Sequence, residues 1–510
     1  MAEEFFKAKE ILSPIERWGH WSIPQSGKPS EELSGLLKFK TNSSGQLIIC
    51  GNFKDTPLQT MKSYPALWGR ISDFKAISVF DAFVININPL DIKNDQPVTL
   101  AFSEYWEGNV LFSDRESVKF RSVAFGINNL EMWHNESNFD GSCGRHLKNI
   151  KLKYKRPNKL DLFEDENVKI TLGYNVAGPG SCYGQTIASI KQSARILIKS
   201  RRGRLLPFYG ADNSFQYYIE MIFCFFSSLI GKNTFMYDIY GTVRPINIKN
   251  GKIIRNEVYA TKFWRQNIVE NHLKELCFLD VALPYWQIKD CLKDAIRQYN
   301  IFHKKISRLV FELVRYQNYS NKIDHHILPQ FVFVFEGLVR ELYDTEVKAY
   351  HKEKILTDEY EIMRKSVLDR CDRKQRSWLN STLPPYPKFR EYYDVILENI
   401  GELFPYLLEK KYGNDSSALS DYMFKYLKKE RTSLAHATKR TESDIHLYIS
   451  ALQWLHLVLT LAIWKKCGIC AKVLQERLNN HHAVYNSIKE TICSLLPEWM
   501  NHQKDKSVAT

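Results

Sequence analysis

The stretch YISALQWLHLVLTLAIW, Tyr448 to Trp464, decides the fold class of the C-terminal half of this chain. It approaches the length of a membrane span, but Gln453 and His456 lie inside it. Ile445, Ile449, Leu452, Leu455, Leu459 and Ile463 recur at three- and four-residue steps. That spacing predicts a helix buried inside an all-α domain. Its ends are marked as well. TESD (Thr441 to Asp444) offers a capping-box-like start, and Lys465, Lys466 and Gly468 form a basic, glycine-terminated stop.

Working outward, helical patterns cover about 284 to 318, 326 to 350, 355 to 378, 388 to 412, 416 to 436, 441 to 466 and 470 to 491. Upstream of these, FQYYIEMIFCFFSSLIG reads as a helix closed by Gly231, followed by a strand-like TFMYDIYGTVRPINI. Before about residue 200 the texture differs. GLLKF, QLIICGNF, AISVFDAFVININ, PVTLAF, VKFRSVAFGI and VKITLGY are β-branched and aromatic runs bounded by Gly, Asn, Asp and Pro. No helical stretch of useful length separates them, which predicts a mostly antiparallel sandwich or barrel. The expected fold class is therefore α+β and multidomain: a β-rich sandwich- or barrel-like domain over 1–205, a mixed, mainly helical connecting region over 206–310, and an all-α domain over 311–510. GPGSCYG (178 to 184) lacks both the Walker Lys-Ser/Thr ending and GxGxxG spacing, so it reads as a turn.

The chain has 510 residues, more than one core normally organises, and its 25% charged and 13% aromatic composition excludes a disordered or collagen-like polymer. Lys and Arg number 71 against 57 Asp and Glu, a net charge of +14. Such an excess favours polyanionic partners through counterion release, without choosing among RNA, DNA and anionic lipid. The ten cysteines form no framework of spacings, and MAEEFFKAKE is too acidic for a secretion signal. The expectation is a cytoplasmic protein with free thiols and no membrane partner.

Four basic runs stand out: KLKYKRPNK (151–159), KSRRGR (199–204), RKSVLDRCDRKQR (364–376) and KKERTSLAHATKR (428–440). Such runs are most often solvated faces, with nucleic-acid contact as the competing reading. The last alone combines cations with a histidine and three hydroxyls between strongly apolar helices. Arg431 and His436 form an R-x4-H pair there. RNA cleavage without a metal needs a group that takes or gives a proton near neutral pH, which suits His, and a permanent cation that stabilises the phosphorane, which suits Arg. Spacing alone is weak, because Arg477 with His482, Arg440 with His446 and Arg265 with His272 offer similar pairs. Five residues along an ideal helix also means about 140° of rotation and roughly 7.5 Å of rise, so one helix does not aim both side chains at one phosphate. Either the Arg sits in an irregular first turn, or a symmetric second copy completes the site.

In the order of its pieces the chain resembles the ApeA-like proteins. FVFVFEGLVRELY, FREYYDVILENI, RTSLAHA and the long apolar helix ending near Gly468 and Ile469 are similar to their HEPN domain. WGHWSIP, LSGLLKFKTNSSGQLIICGNF and VKFRSVAFGINNLEMW are similar to the β-rich domain that accompanies it. The resemblance implies an all-α HEPN bundle that dimerises to build a composite endoribonuclease site, acting in bacterial defence against phage. It implies Arg431 and His436 as the catalytic pair. Thr432 stands where the family often has Asn, Glu336 is an acidic residue that could orient the Arg or be paired with Arg340 or Arg431, and Lys428, Lys429, Lys439 and Arg440 are placed to hold RNA. RNA, tRNA in particular, is the implied substrate, with the β domain sensing an unknown phage-derived trigger.

No cofactor or metal is expected. Cys467, Cys470, His481 and His482 match common zinc spacings poorly, and a helix-turn-helix junction with free thiols is the favoured reading. Two other functions stay open: a non-catalytic HEPN protein that binds RNA or a partner, and a protein that grips the DNA backbone.

Overall fold

Alternation of apolar and polar residues makes strands of the first half of the chain and turns one face of each strand inward. The computed structural model describes residues 11–479 except 25–30, 55, 60, 72–74, 87–96, 136–138, 144–149, 156, 178–190, 246, 250–251, 267, 269–272, 319–326, 355–357, 383–386, 408–415 and 436–444. Two units divide it, Met1–Leu276 and Cys277–Thr510. The first is β-rich and the second helical, an α+β architecture.

In the first unit, β1 (Ile15–Ser22), β2 (Leu33–Phe39), β3 (Gly45–Cys50), β4 (Ser63–Ile71), β5 (Ala76–Asn86) and β6 (Pro97–Phe102) pair antiparallel in the order β1-β2-β3-β6-β5-β4 and back to β1. The result is a closed barrel, which leaves these strands no unpaired edge. Leu37, Phe39, Leu47, Ile49, Leu67, Val79 and Leu100 fill it around Trp21. Trp21 lies opposite Gly69 and donates its indole N–H to the Gly35 carbonyl at 3.2 Å. A Cβ on Gly69 would sit 2.6 Å from the indole ring, so the WGHWSIP segment needs a residue without a side chain across from it.

β7 (Glu104–Gly108) follows β6 directly but pairs with the N-terminal half of β5, so β5 belongs both to the barrel and to an open sheet. The remaining strands are β8 (Lys119–Phe120), β9 (Ser122–Ile127), β10 (Phe139–Cys143), β11 (Ile150–Tyr154), β12 (Leu160–Glu164), β13 (Val168–Ala177), β14 (Lys191–Ser200), β15 (Leu206–Pro207), β16 (Met236–Arg244), β17 (Asn247–Lys249), β18 (Lys252–Arg255) and β19 (Val258–Trp264). The open sheet runs β7-β19-β16-β9-β14-β13-β12, and the short pairs β10-β11, β15-β8 and β17-β18 lie outside it. The sheet thus extends well past residue 205: β16 and β19, from the segment read as a mainly helical connection, lie in its middle. Their neighbours are distant in sequence, β9 for β16 and β7 for β19, and local pattern does not reveal such pairings.

The unit also holds α1 (Leu130–His134) and α2 (Phe215–Ile230). Helix α2 is largely apolar, with Gln216 and Glu220 paired on one face, and is otherwise wholly buried, as that pattern requires. The Ser214 hydroxyl caps its start by accepting the Tyr217 N–H, and Gly231, at φ 99°, ends it where the sequence places the stop.

The second unit contains α3 (Tyr285–Ile288), α4 (Leu292–Asn318), α5 (Ile327–Lys354), α6 (Asp358–Asp369), α7 (Arg373–Thr382), α8 (Phe389–Asn399), α9 (Phe404–Leu407), α10 (Ser416–Ala435), α11 (Ile445–Lys466) and α12 (Ala471–Asn479). Helix α5 packs against α4, α8, α10 and α11 and is the hub of the bundle. The helix expected over 355–378 breaks because Asp372 and Gln375 exchange side-chain-to-backbone bonds of 2.8 and 3.0 Å, a capping box that starts α7 afresh. The one expected over 388–412 stops at Asn399 before Gly401, and Pro405 stands in the first turn of α9.

Helix α11 is buried on nearly all sides, from Tyr448 to Trp464. No helix among the described residues is long and apolar enough to cross a membrane. The stop of α11 is a Schellman motif: Gly468 N–H donates to the Lys465 carbonyl at 2.8 Å, Ile469 N–H to the Trp464 carbonyl at 3.0 Å, and Gly468 takes φ 83°. Its expected cap, 441–444, lies outside the described residues.

Candidate active site

Helix α10 carries the first five residues of the RTSLAHA segment, 431–435, and buries Met423, Leu427 and Glu430 along one face, leaving Lys428, Lys429 and Thr432 exposed. Arg431 lies between these faces, 36% exposed, and reaches the Glu336 carboxylate on α5, which is 21% exposed. The Nε of Arg431 donates to Glu336 Oε2 at 3.2 Å, and Nη2 lies 3.1 Å from the same oxygen as an ion pair. Aromatic rings flank the guanidinium, Phe333 of α5 at 5.5 Å and Phe389 of α8 at 5.9 Å from their centroids. Phe389 is itself stacked on Phe424 of α10, and Arg390 bridges Asp394 and Asp421 beside it. Three helices therefore fix one cation at the surface.

Such an arrangement can stabilise negative charge. The carboxylate and two π faces hold the guanidinium in place, and Nη1 has no partner among the described residues, which leaves donors for a phosphate. The Thr432 hydroxyl donates to the Lys428 carbonyl at 2.8 Å, a bond back into its own helix.

The structure brings Arg431 and Glu336 together and places Lys428, Lys429 and Thr432 on the same helix. His436, Lys439 and Arg440 lie outside the described residues. Arg431 stands in the last turns of α10, which is helical through Ala435, and not in an irregular first turn. Of the competing arginines, Arg477 is buried and donates from Nε to the Ala282 carbonyl at 3.0 Å and from Nη2 to the Val281 carbonyl, a structural task. His272 and His482, the partners suggested for Arg265 and Arg477, lie outside the described residues, as does Arg440, suggested for His446.

The junction between α11 and α12 is a helix-turn-helix in which Cys467 is buried, Cys470 exposed and both thiols are free. Burial pushes the Cys467 thiol well above the ordinary range. His481 and His482 fall outside the described residues, and no group of three or more potential ligands occurs among those described.

Phe333 and Phe389 escape sequence reasoning because each is one aromatic among many in an apolar run. The one available signal is the three-residue step from Phe333 to Glu336, which puts both on one face of a helix.

Fold and site together define a two-part protein: a closed barrel continued as an open sheet, then a helical bundle presenting a carboxylate-anchored arginine. The model of the ApeA N-terminal domain 1 matches residues 16–299, more than half of the chain, from β1 into α4. The chain belongs to the ApeA family, the anti-phage defence family that its pieces resemble. No curated protein and no solved structure matches it.

Proposed function

We propose that this protein is a metal-independent endoribonuclease of anti-phage defence whose helical unit is a HEPN domain. The observation that carries the reading is the Arg431–Glu336 pair, an arginine held at the surface by a carboxylate of another helix with donors to spare. The RNA 2′-hydroxyl attacks the adjacent phosphate, the P–O bond to the 5′-oxygen breaks, and the products are a 2′,3′-cyclic phosphate and a 5′-hydroxyl. His436 moves the proton as general acid or base, and Arg431 stabilises the phosphorane charge. Glu336 positions the arginine. Lys428, Lys429, Lys439 and Arg440 hold the RNA backbone, and Thr432 remains a weaker candidate because its hydroxyl is committed to Lys428.

A second copy completes the site, since an ideal helix running through residues 431 and 436 would not point both at one phosphate. The substrate is structured RNA with an exposed loop, tRNA in particular, and the reaction takes place in the cytoplasm. The first unit senses a phage-derived trigger or restrains the nuclease until infection.

Sequencing RNA ends after expression of the wild-type and His436→Ala proteins tests this. New 5′-hydroxyl ends should arise with the wild type alone, in the presence of EDTA as in its absence. Ends that persist in both His436→Ala and Arg431→Ala refute the site, and loss of cleavage on chelation refutes the mechanism. RNA binding without cleavage by the wild type would mark a non-catalytic HEPN protein, and preference for duplex DNA a DNA-backbone binder.

A further inference from the structure

The first unit carries a basic surface of its own. Residues 151–204 contain twelve Lys and Arg against four Asp and Glu, whereas the rest of Met1–Leu276 holds twenty-four of each. The entire surplus of that unit therefore comes from one segment. KSRRGR runs from the end of β14 into the turn that follows it.

We propose that this end of the open sheet binds the phosphodiester backbone of a nucleic acid, separately from the arginine site of the helical unit. The register places Lys169 of β13 directly opposite Lys199 of β14, and Lys199 opposite Ser122 of β9. Like charges directly opposed in a sheet are unfavourable without a counterion. Lys169 has one, Asp161 at 2.8 Å, whereas Lys199 has no ion pair among the described residues.

The connection from β14 to β15 then adds Arg201, Arg202 and Arg204, all exposed. Its backbone is fixed: Ser200 N–H donates to the Arg121 carbonyl and Arg201 N–H to the Asn167 carbonyl, each at 2.8 Å. Arg202 and Gly203 both take left-handed backbone angles, φ 58° and 64°. A non-glycine residue held there is strained, and here the strain lies in the turn that presents the arginines. Arg201 is shared with Glu164 at 3.3 Å, but Arg202, Arg204 and the neighbouring exposed Lys119 and Arg121 have no ion pair among the described residues.

Lys169, Lys199, Arg201 and Arg202 line one concavity with Ser200, and Glu164 and Glu166 also line it. With strands about 4.8 Å apart, the row from β13 to β9 spans roughly 10 Å, wider than a single phosphate. A string of phosphates fits this row better than one phosphomonoester. The arginine forks suit its oxygens, and the absence of base-sized aromatic platforms among the lining residues fits contact to the backbone alone.

The proposal does not rest on the nuclease reading, because binding here requires no cleavage. The test uses the full chain with two fluorescent probes of one sequence, a 2′-O-methyl RNA strand that cannot undergo 2′-hydroxyl attack, and a DNA duplex. The triple variant Lys199→Ala, Arg202→Ala, Arg204→Ala should keep the wild-type melting temperature, bind at least one probe about tenfold more weakly, and lower the slope of log affinity against log salt by about 2–3. Either probe supports the proposal, and the one more affected names the source of the phosphates. A second triple, Arg364→Ala, Arg370→Ala, Arg373→Ala in the helical unit, should change affinity less than twofold. Equal losses in both triples would reduce the effect to net charge and overturn the proposal. So would unchanged binding of both probes in the first triple.

Discussion

The guanidinium of Arg431 on α10 is held by the carboxylate of Glu336 on α5, ninety-five residues earlier, through a hydrogen bond from Nε and an ion-pair contact from Nη2 to a single oxygen. With both partners partly exposed, the pair itself contributes about 0–1 kcal/mol to stability. Its value lies in aim. Glu336→Gln should shift stability by no more than that amount in a urea melt. It should slow single-turnover RNA cleavage about ten- to a hundredfold, the equivalent of about 1.5–3 kcal/mol for a charge-assisted bond. Loss of stability in proportion to activity would instead assign Glu336 a structural role.

Arg477 presents the opposite case among the chain's arginines. It is buried, and its donors satisfy the carbonyls of Val281 and Ala282 just ahead of α3. Arg477→Ala should cost about 1.5–3 kcal/mol in denaturant unfolding, since it removes charged donors from two buried carbonyl oxygens. Arg477→Lys should recover part of that, because an ammonium cannot reproduce the fork. Cleavage per folded molecule should match the wild type in both. A selective loss of cleavage would reinstate Arg477 and His482 as the catalytic pair.

Trp21 and Gly69 test the barrel in the same spirit. A methyl group at position 69 would come within 2.6–2.9 Å of three carbons of the buried indole, so either the ring or strand β4 must move. Overpacking of this kind costs about 1–3 kcal/mol. Gly69→Ala should lower the unfolding midpoint and alter the near-ultraviolet circular dichroism, and Trp21→Phe in the same chain should relieve part of the loss. Unaltered stability in Gly69→Ala would mean that the indole is not packed against β4.

These residues also show what was legible in the sequence. The stops at Gly231 and Gly468 were, because a left-handed helix end is a local demand that glycine meets at low cost. The β texture was legible too, but not the closure of the barrel, which depends on β6 pairing with both β3 and β5 and on β4 returning to β1. Nor was the place of β16 and β19, whose partners lie far away in the chain. At the candidate site, Arg340 stands four residues from Glu336 on the same helix and was as good a partner on sequence grounds as Arg431. Only the packing of α10 on α5 separates the two.

Acid should expose a liability in the helical unit. His303 on α4 is fully buried, and burial holds its imidazole down at about 4. His456 on α11 is also lowered to about 4 by burial. Its Nε2 is enclosed, although part of the residue reaches the surface. In the unfolded chain both titrate near about 6.5. Above that pH both states are neutral and neither histidine affects stability. As pH falls below it, the unfolded chain takes up protons that the folded chain refuses, so stability declines until about pH 4, where the folded state protonates too. For His303 the full loss is about 3 kcal/mol, at 1.36 kcal/mol per pH unit. Urea unfolding of the wild type between pH 7 and 4.5 should therefore show a declining midpoint, and His303→Leu should flatten that decline while leaving an acid limb from His456. An identical slope in His303→Leu and wild type would show that His303 meets solvent or a proton acceptor in the folded state, and would contradict its burial.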